Sequence, residues 1–238
     1  MTLLRRSLPL SVLVFVALAA AGEAAKSDIP PLKKGDRIVF LGDSITAGGG
    51  GPKGYITLVK KALDENCKDF GIETVNAGIS GHKVPDLQRR LQKDVLDKKP
   101  TIVFIYIGIN DVWHWATKGL KGTTKEDYEA GLKDLTARIT GAGARVILCT
   151  PSVIGEKKDG ANLQDKMLEE YSEISRKVAA EAKTQLCDLH KAFGEYIQAH
   201  NPDNAEKGIL TGDRVHLNEA GNRLVADQML QALGVAAK

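Results

Sequence analysis

Three cysteines among 238 residues are too few for a disulfide framework. Two of them, Cys149 and Cys187, sit inside apolar runs, where cysteine serves as a small hydrophobe, so buried thiols are expected. An excess of one charge is also missing. The 33 lysines and arginines stand against 30 aspartates and glutamates, a formal net charge of +3. That balance carries no electrostatic footprint of a nucleic-acid binder. No internal repeat, second domain or low-complexity tract interrupts the chain, which argues against solenoids and arrays. The glycine-rich segment 48–54 lacks the Gly-Lys-Ser/Thr ending of a phosphate loop and reads instead as a flexible lip. No grouping of His, Cys and carboxylates completes a metal sphere.

One long apolar run exists, and it lies at the N-terminus. Arg5 and Arg6 precede an apolar stretch over residues 8–21, and small residues follow. This is the three-part pattern of a secretory signal peptide, expected over residues 1–24, with cleavage after Ala21 or Ala24. The apolar stretch is short for a membrane span of roughly 20 residues. Export to the periplasm or the outside is therefore expected, with no stable membrane insertion after processing. Residues 25–34 form a polar linker, and residues 35–238 are expected to form one domain. A content of 43% hydrophobic and 26% charged residues is that of a soluble globular protein.

The domain alternates two periodicities. Residues 37–41, 71–76, 101–107, 145–150 and 184–189 read as five strands. The run Thr-Ile-Val-Phe-Ile-Tyr-Ile over 101–107 is continuously apolar, as in a parallel sheet covered on both faces. Between the strands lie helical stripes: Ile56, Val59 and Leu63; then Leu87, Leu91 and Val95 after a proline at the first turn. Thr123 and Glu126 form a capping box before the stripe Tyr128, Leu132, Leu135 and Ile139. A long helix over 162–183 turns Met167, Tyr171, Ile174 and Val178 inward, and a last helix covers about 218–233. Alternation of this kind predicts an α/β class, with helices on both faces of a five-stranded parallel sheet.

Four short segments fall where strands end or the last helix begins: Gly42-Asp43-Ser44, residues 76–81, Gly108-Ile109-Asn110-Asp111 and Asp213-Arg214-Val215-His216. In a parallel sheet the carboxyl ends of the strands share one edge, so these segments gather around one crevice. A serine there is a nucleophile if a base reaches it. Taken singly, each segment also has a plainer reading. Ser44 suits a helix cap, Gly78 a turn, Asn110 and Asp111 a strand-to-helix turn, and Asp213 and His216 the start of a helix. Among the other histidines, His82 lies at the crevice rim, whereas His190 and His200 lie in or beside a surface helix and are expected to be solvated.

Taken together, Gly42-Asp43-Ser44-Ile45, Gly78, Gly108-x-Asn110-Asp111 and Asp213-x-x-His216 resemble the four ordered blocks of the SGNH hydrolases, the GDSL-type esterases and lipases. The resemblance spans almost the whole expected domain, with Ile45 in place of the usual leucine. It implies a single-domain, three-layer, flavodoxin-like α/β/α fold and acyl transfer without a cofactor. Ser44 would be the nucleophile, His216 the general base and Asp213 the residue that orients the imidazole. The backbone N–H groups of Ser44 and Gly78 and the side chain of Asn110 would form the oxyanion hole. Asp43 and Asp111 are assigned to holding their turns. Trp113 and Trp115, both tryptophans of the chain, stand beside the Asn110 block and are candidates for substrate contact, as is His82; packing against a neighbouring helix is the equal alternative for the tryptophans. A carbohydrate O-acetyl ester is the first expectation for the substrate. A lysophospholipid or thioester is the second, and no apolar lid stretch favours it. A non-catalytic carbohydrate-binding protein on the same fold is the reading from another class.

Overall fold

The computed structural model describes residues 29–236, so the expected signal peptide lies outside the described residues. Five strands form one parallel sheet: β1 (Arg37–Gly42), β2 (Glu73–Gly78), β3 (Ile102–Tyr106), β4 (Arg145–Cys149) and β5 (Gln185–Cys187), in the order β2-β1-β3-β4-β5. β1 and β3 lie in the middle, and Ile38 to Leu41 and Ile102 to Tyr106 are buried, which explains their uninterrupted apolar reading. The connections place α2 (Tyr55–Asn66) and α8 (Glu219–Ala232) against each other, with α7 (Leu189–His200) beside α8. They place α3 (Val84–Asp94) and α6 (Asp165–Glu181) on either side of α5 (Lys125–Gly141). Two five-residue helices, α1 (Ser44–Gly48) and α4 (Ile109–Trp113), start directly after β1 and β3. The chain leaves β1 toward β2 and returns from β2 to β3. The ends of β1 and β3 therefore flank the point where the strand order reverses, the usual ligand crevice of such sheets. Among the described residues no helix is long and apolar enough to cross a membrane.

Several local expectations shift. The inward face of α6 is Leu168, Tyr171, Ser172, Ser175, Val178 and Ala179, whereas Met167 is 37% exposed. The true stripe contains two serines, which escape a hydrophobicity count because their hydroxyls bond back to Leu168 O at 2.8 Å and Tyr171 O at 3.1 Å. The cap of α5 is Thr124, whose Oγ1 accepts from Asp127 N, not Thr123. The glycine-rich segment is not a loose lip. Gly49, Gly51 and Gly54 each donate an N–H to a carbonyl three or four residues back, at 2.9–3.0 Å. All three cysteines are free, and Cys149 and Cys187 are buried opposite each other on β4 and β5.

Candidate active site

Residue 44 is fixed from three directions. β1 ends at Gly42, whose amide plane is pinned where Gly42 O accepts from both Ile79 N at 3.2 Å and Arg90 Nη2 at 2.8 Å. Asp43 is buried and caps α1, its Oδ1 accepting from Ile45 N at 2.9 Å. Ser44 is the first residue of α1, and its own N–H has no partner among the described residues, as the opening amides of a helix do not. Burial pushes the Asp43 carboxyl up from 3.8 to about 7, opposed by the N–H of Ile45. Asp111 is raised to about 6 for the same reason; its Oδ1 accepts from Val84 N at 3.1 Å and so ties α4 to the start of α3.

Ser44 Oγ lies 2.9 Å from His216 Nε2, and His216 Nδ1 lies 2.7 Å from Asp213 Oδ2. A carboxylate only accepts, so Nδ1 carries the proton, which leaves Nε2 of the neutral ring facing the serine hydroxyl as an acceptor. The other carboxylate oxygen of Asp213 accepts from the backbone N–H of Val215 at 3.1 Å and of His216 at 2.7 Å. One aspartate thus shapes its loop and aims the ring. Partial burial raises its carboxyl, but the hydrogen bonds from the His216 ring and from the two amides outweigh that and hold it below its usual value. Between them Arg214 has φ +86°, a left-handed conformation costing roughly 1–2 kcal/mol in a non-glycine residue. Trp113 stands edge-on to the His216 ring, with centroids 6.4 Å apart.

Two of the donors expected for a developing oxyanion are already engaged, each in a different way. Asn110 is buried and its Nδ2 donates to His82 O at 3.0 Å, with Asp43 Oδ2 at 3.5 Å. Gly78 is adjacent, and its N–H donates to Asn76 Oδ1 at 2.9 Å. Its glycine identity has a packing cause: a Cβ there would stand 2.1 Å from Ala47 N in α1. Three residues on, Gly81 has φ +78° and an N–H with no partner among the described residues. It lies between Ile79, bonded to Gly42 O, and His82, whose carbonyl holds Asn110. Both glycines were visible in the sequence; which amide is free depends on the Asn76 side chain.

His82 is half-buried, and its Nδ1 accepts from Arg90 Nε at 3.0 Å. Burial, with the guanidinium beside it, holds its pKa below the usual imidazole range, so the neutral ring carries its proton on Nε2. Arg90 itself went unnoticed in the sequence, as one of two adjacent arginines on α3. It also donates to Ala77 O at 2.8 Å, which stitches the ends of β1 and β2 together. Trp115 is 41% exposed, and its Nε1 donates to Thr123 O at 3.2 Å. His200 is exposed as expected, but His190 is not simply solvated: its Nδ1 lies 2.6 Å from Ser152 O and its Nε2 2.9 Å from Glu169.

The model of the GDSL-like Lipase/Acylhydrolase family matches residues 40–224. The chain is 33% identical over 217 residues to the acetylxylan esterase of Geobacillus stearothermophilus, covering 84% of this chain and 94% of that one. It is 28% identical over 181 residues to Esterase TesA of Pseudomonas aeruginosa, covering 75% and 78%. Among solved structures, the acetyl xylan esterase AlAXEase is similar with a TM-score of 0.80 at 43% identity, over 83% of this chain and 99% of that one. With the family match running from β1 into α8, the chain belongs to the GDSL-like lipase/acylhydrolase family and is a carboxylic ester hydrolase of the SGNH type.

Proposed function

We propose that this chain is an exported esterase that removes acetyl groups from O-acetylated carbohydrates through an acyl-enzyme on Ser44. The observation that carries the proposal is the continuous line from Ser44 Oγ through the His216 ring to Asp213, at 2.9 and 2.7 Å. Ser44 Oγ attacks the ester carbonyl while His216 Nε2 takes its proton, and Asp213 stabilises the imidazolium that results. The oxyanion is held by the N–H of Ser44, the Nδ2 of Asn110 and the N–H of Gly81, which we assign in place of Gly78. When the tetrahedral intermediate collapses, His216 returns the proton to the leaving sugar oxygen. Water, activated by the same imidazole, then attacks the acetyl-enzyme and releases acetate. Asp43 and Asp111 hold the turns that aim Ser44 and Asn110.

Acetylated sugars are favoured over longer acyl esters by two considerations. Relatives at 33% and 43% identity carry the name acetylxylan esterase. The open face of Trp115 and the edge of Trp113 beside His216 offer aromatic surface suited to a sugar ring. His82, with its proton on Nε2, adds a neutral donor for a sugar hydroxyl. The N-terminal pattern over residues 1–24 supports export to where such polymers occur.

The test is acetate release from acetylated xylo-oligosaccharides, beside hydrolysis of p-nitrophenyl acetate and its longer homologues, by the wild type and Ser44→Ala. The expected result is turnover that declines with acyl length and disappears in Ser44→Ala. Preference for long acyl chains would transfer the assignment to lipids or thioesters. Undiminished turnover by Ser44→Ala would overturn the mechanism.

A further inference from the structure

The loop that carries Asp213 and His216 belongs to no strand, and its base is gripped from behind by the segment that follows β4. Glu156 is fully buried, and no cation pairs with it among the described residues. A bare carboxylate in such a place is costly unless hydrogen bonds replace its water. Four donors do so here. Oε1 accepts from Leu210 N at 2.8 Å, Thr211 N at 2.6 Å and Thr211 Oγ1 at 2.7 Å, and Oε2 accepts from Ile209 N at 2.7 Å. Three consecutive amides converge on one side chain, and among neutral or ionised groups only a carboxylate supplies enough acceptor sites without introducing a competing donor.

The same segment holds the loop at two further points. Glu156 N donates to Glu206 O at 2.9 Å, and Gly155 N donates at 2.8 Å to the carbonyl of Arg214, which lies between Asp213 and His216. Above the clamp the loop closes on itself. Asn218 N donates to Leu210 O, Gly212 N donates to His216 O, both at 2.9 Å, and Thr211 and Leu217 form an isolated antiparallel bridge. Residues 213–216 are the tip of this short, hairpin-like unit, and Glu156 is its anchor.

We infer that Glu156 is a positioning residue for the reaction: its carboxylate sets where the His216 imidazole stands relative to Ser44. The inference rests on the proposed roles of Ser44, Asp213 and His216. In Glu156→Gln one carboxylate oxygen becomes an NH2 facing amide donors, which forces the base of the loop to move. A displacement of about 1 Å at a reacting group costs on the order of 100-fold in rate.

The experiment compares wild type, Glu156→Gln, Thr211→Val and Ser44→Ala. It reads kcat and KM for p-nitrophenyl acetate, thermal melting, and the downfield proton NMR signal of the His216 Nδ1–H bound to Asp213. Glu156→Gln is expected to lower kcat on the order of 10- to 100-fold with little change in KM, and to shift or broaden the imidazole signal below its melting temperature. Thr211→Val removes a single bond to the same carboxylate and is expected to lower kcat roughly threefold to tenfold, with a smaller shift of that signal. A folded Glu156→Gln with wild-type kcat and an unmoved signal overturns the inference. So does a loss of activity matched by the unfolded fraction alone. If Glu156→Gln does not fold, Thr211→Val decides: unchanged kcat and signal reject the role. Activity surviving in Ser44→Ala would instead reject the proposed mechanism, which separates that failure from this one.

Discussion

The two halves of the candidate active site are built on opposite plans. The Ser44 half sits at the end of a central strand: β1 is paired on both sides, and Gly42, Asp43 and Asn110 are all held in the interior. The His216 half projects into solvent, with the His216 side chain 45% and the Asp213 side chain 54% exposed. The sheet places Ser44 as a by-product of forming the core. The imidazole has no such frame and depends on side-chain acceptors, with Asp213 holding the tip and Glu156 the base. Precision at one half comes from strand pairing and burial, with Arg90 clamping Gly42 O, and at the other almost wholly from hydrogen bonds to side-chain carboxyls.

The contrast can be broken most severely at the imidazole. His216→Ala should lower kcat on the order of 10⁵- to 10⁶-fold, while Asp213→Asn, which keeps the loop acceptor but misassigns the ring proton, should lower it on the order of 10⁴-fold. Steady-state kinetics on p-nitrophenyl acetate measure both; equal losses would mean that Asp213 does more than orient the ring.

The buried half should reveal itself through pH. Asp43 binds a proton up to about 7 in the folded state, against an ordinary value of 3.8, so the native protein holds a proton that the unfolded chain has released. Stability contributed by this group is therefore present at low pH and falls as pH rises from about 4 to about 7, at most about 1.4 kcal/mol for each pH unit. Asp111, raised to about 6, acts in the same direction over a narrower interval. Denaturant midpoints between pH 4 and 8 should show this decline flattened in Asp43→Asn, which retains a cap. An unchanged slope would place the titration elsewhere.

The smallest effects separate two glycines. Gly78→Ala drives a methyl against the Ala47 backbone and should destabilise by about 1–3 kcal/mol. Gly81→Ala meets no atom within 4 Å and strains only its positive φ, a cost of roughly 1–2 kcal/mol. Melting curves measure both, and a larger loss at Gly81 would reverse the assignment of space to one and conformation to the other.

The sheet was legible in the sequence because burial on both faces leaves each inner strand uninterrupted by polar residues. The strand-end motifs were legible because a turn compresses several chemically distinctive residues into three or four positions. Where the reading failed, the deciding partner was distant or lacked a pattern. Glu156 is one acidic residue in a polar loop until its contacts 53–55 residues away are known. Arg90 differs from Arg89 only in which carbonyls it meets. Met167 displaced Leu168 in the predicted stripe because Ser172 and Ser175 belong to the buried face and do not look apolar. The sequence reading named Gly78 alone, because the acceptor that engages its N–H is a side chain, Asn76, that a backbone motif does not describe.

Ser44 and His216 meet across 172 residues of chain. The hydroxyl therefore lacks this partner while the first nine-tenths or so of the protein emerge from the ribosome, and in any partly folded form that lacks the loop beyond the last strand. On the proposed mechanism, hydrolytic competence arrives with the closing contacts of folding. On the proposed export route, a polypeptide threaded unfolded across a membrane would stay chemically inert toward the esters of the compartment that makes it.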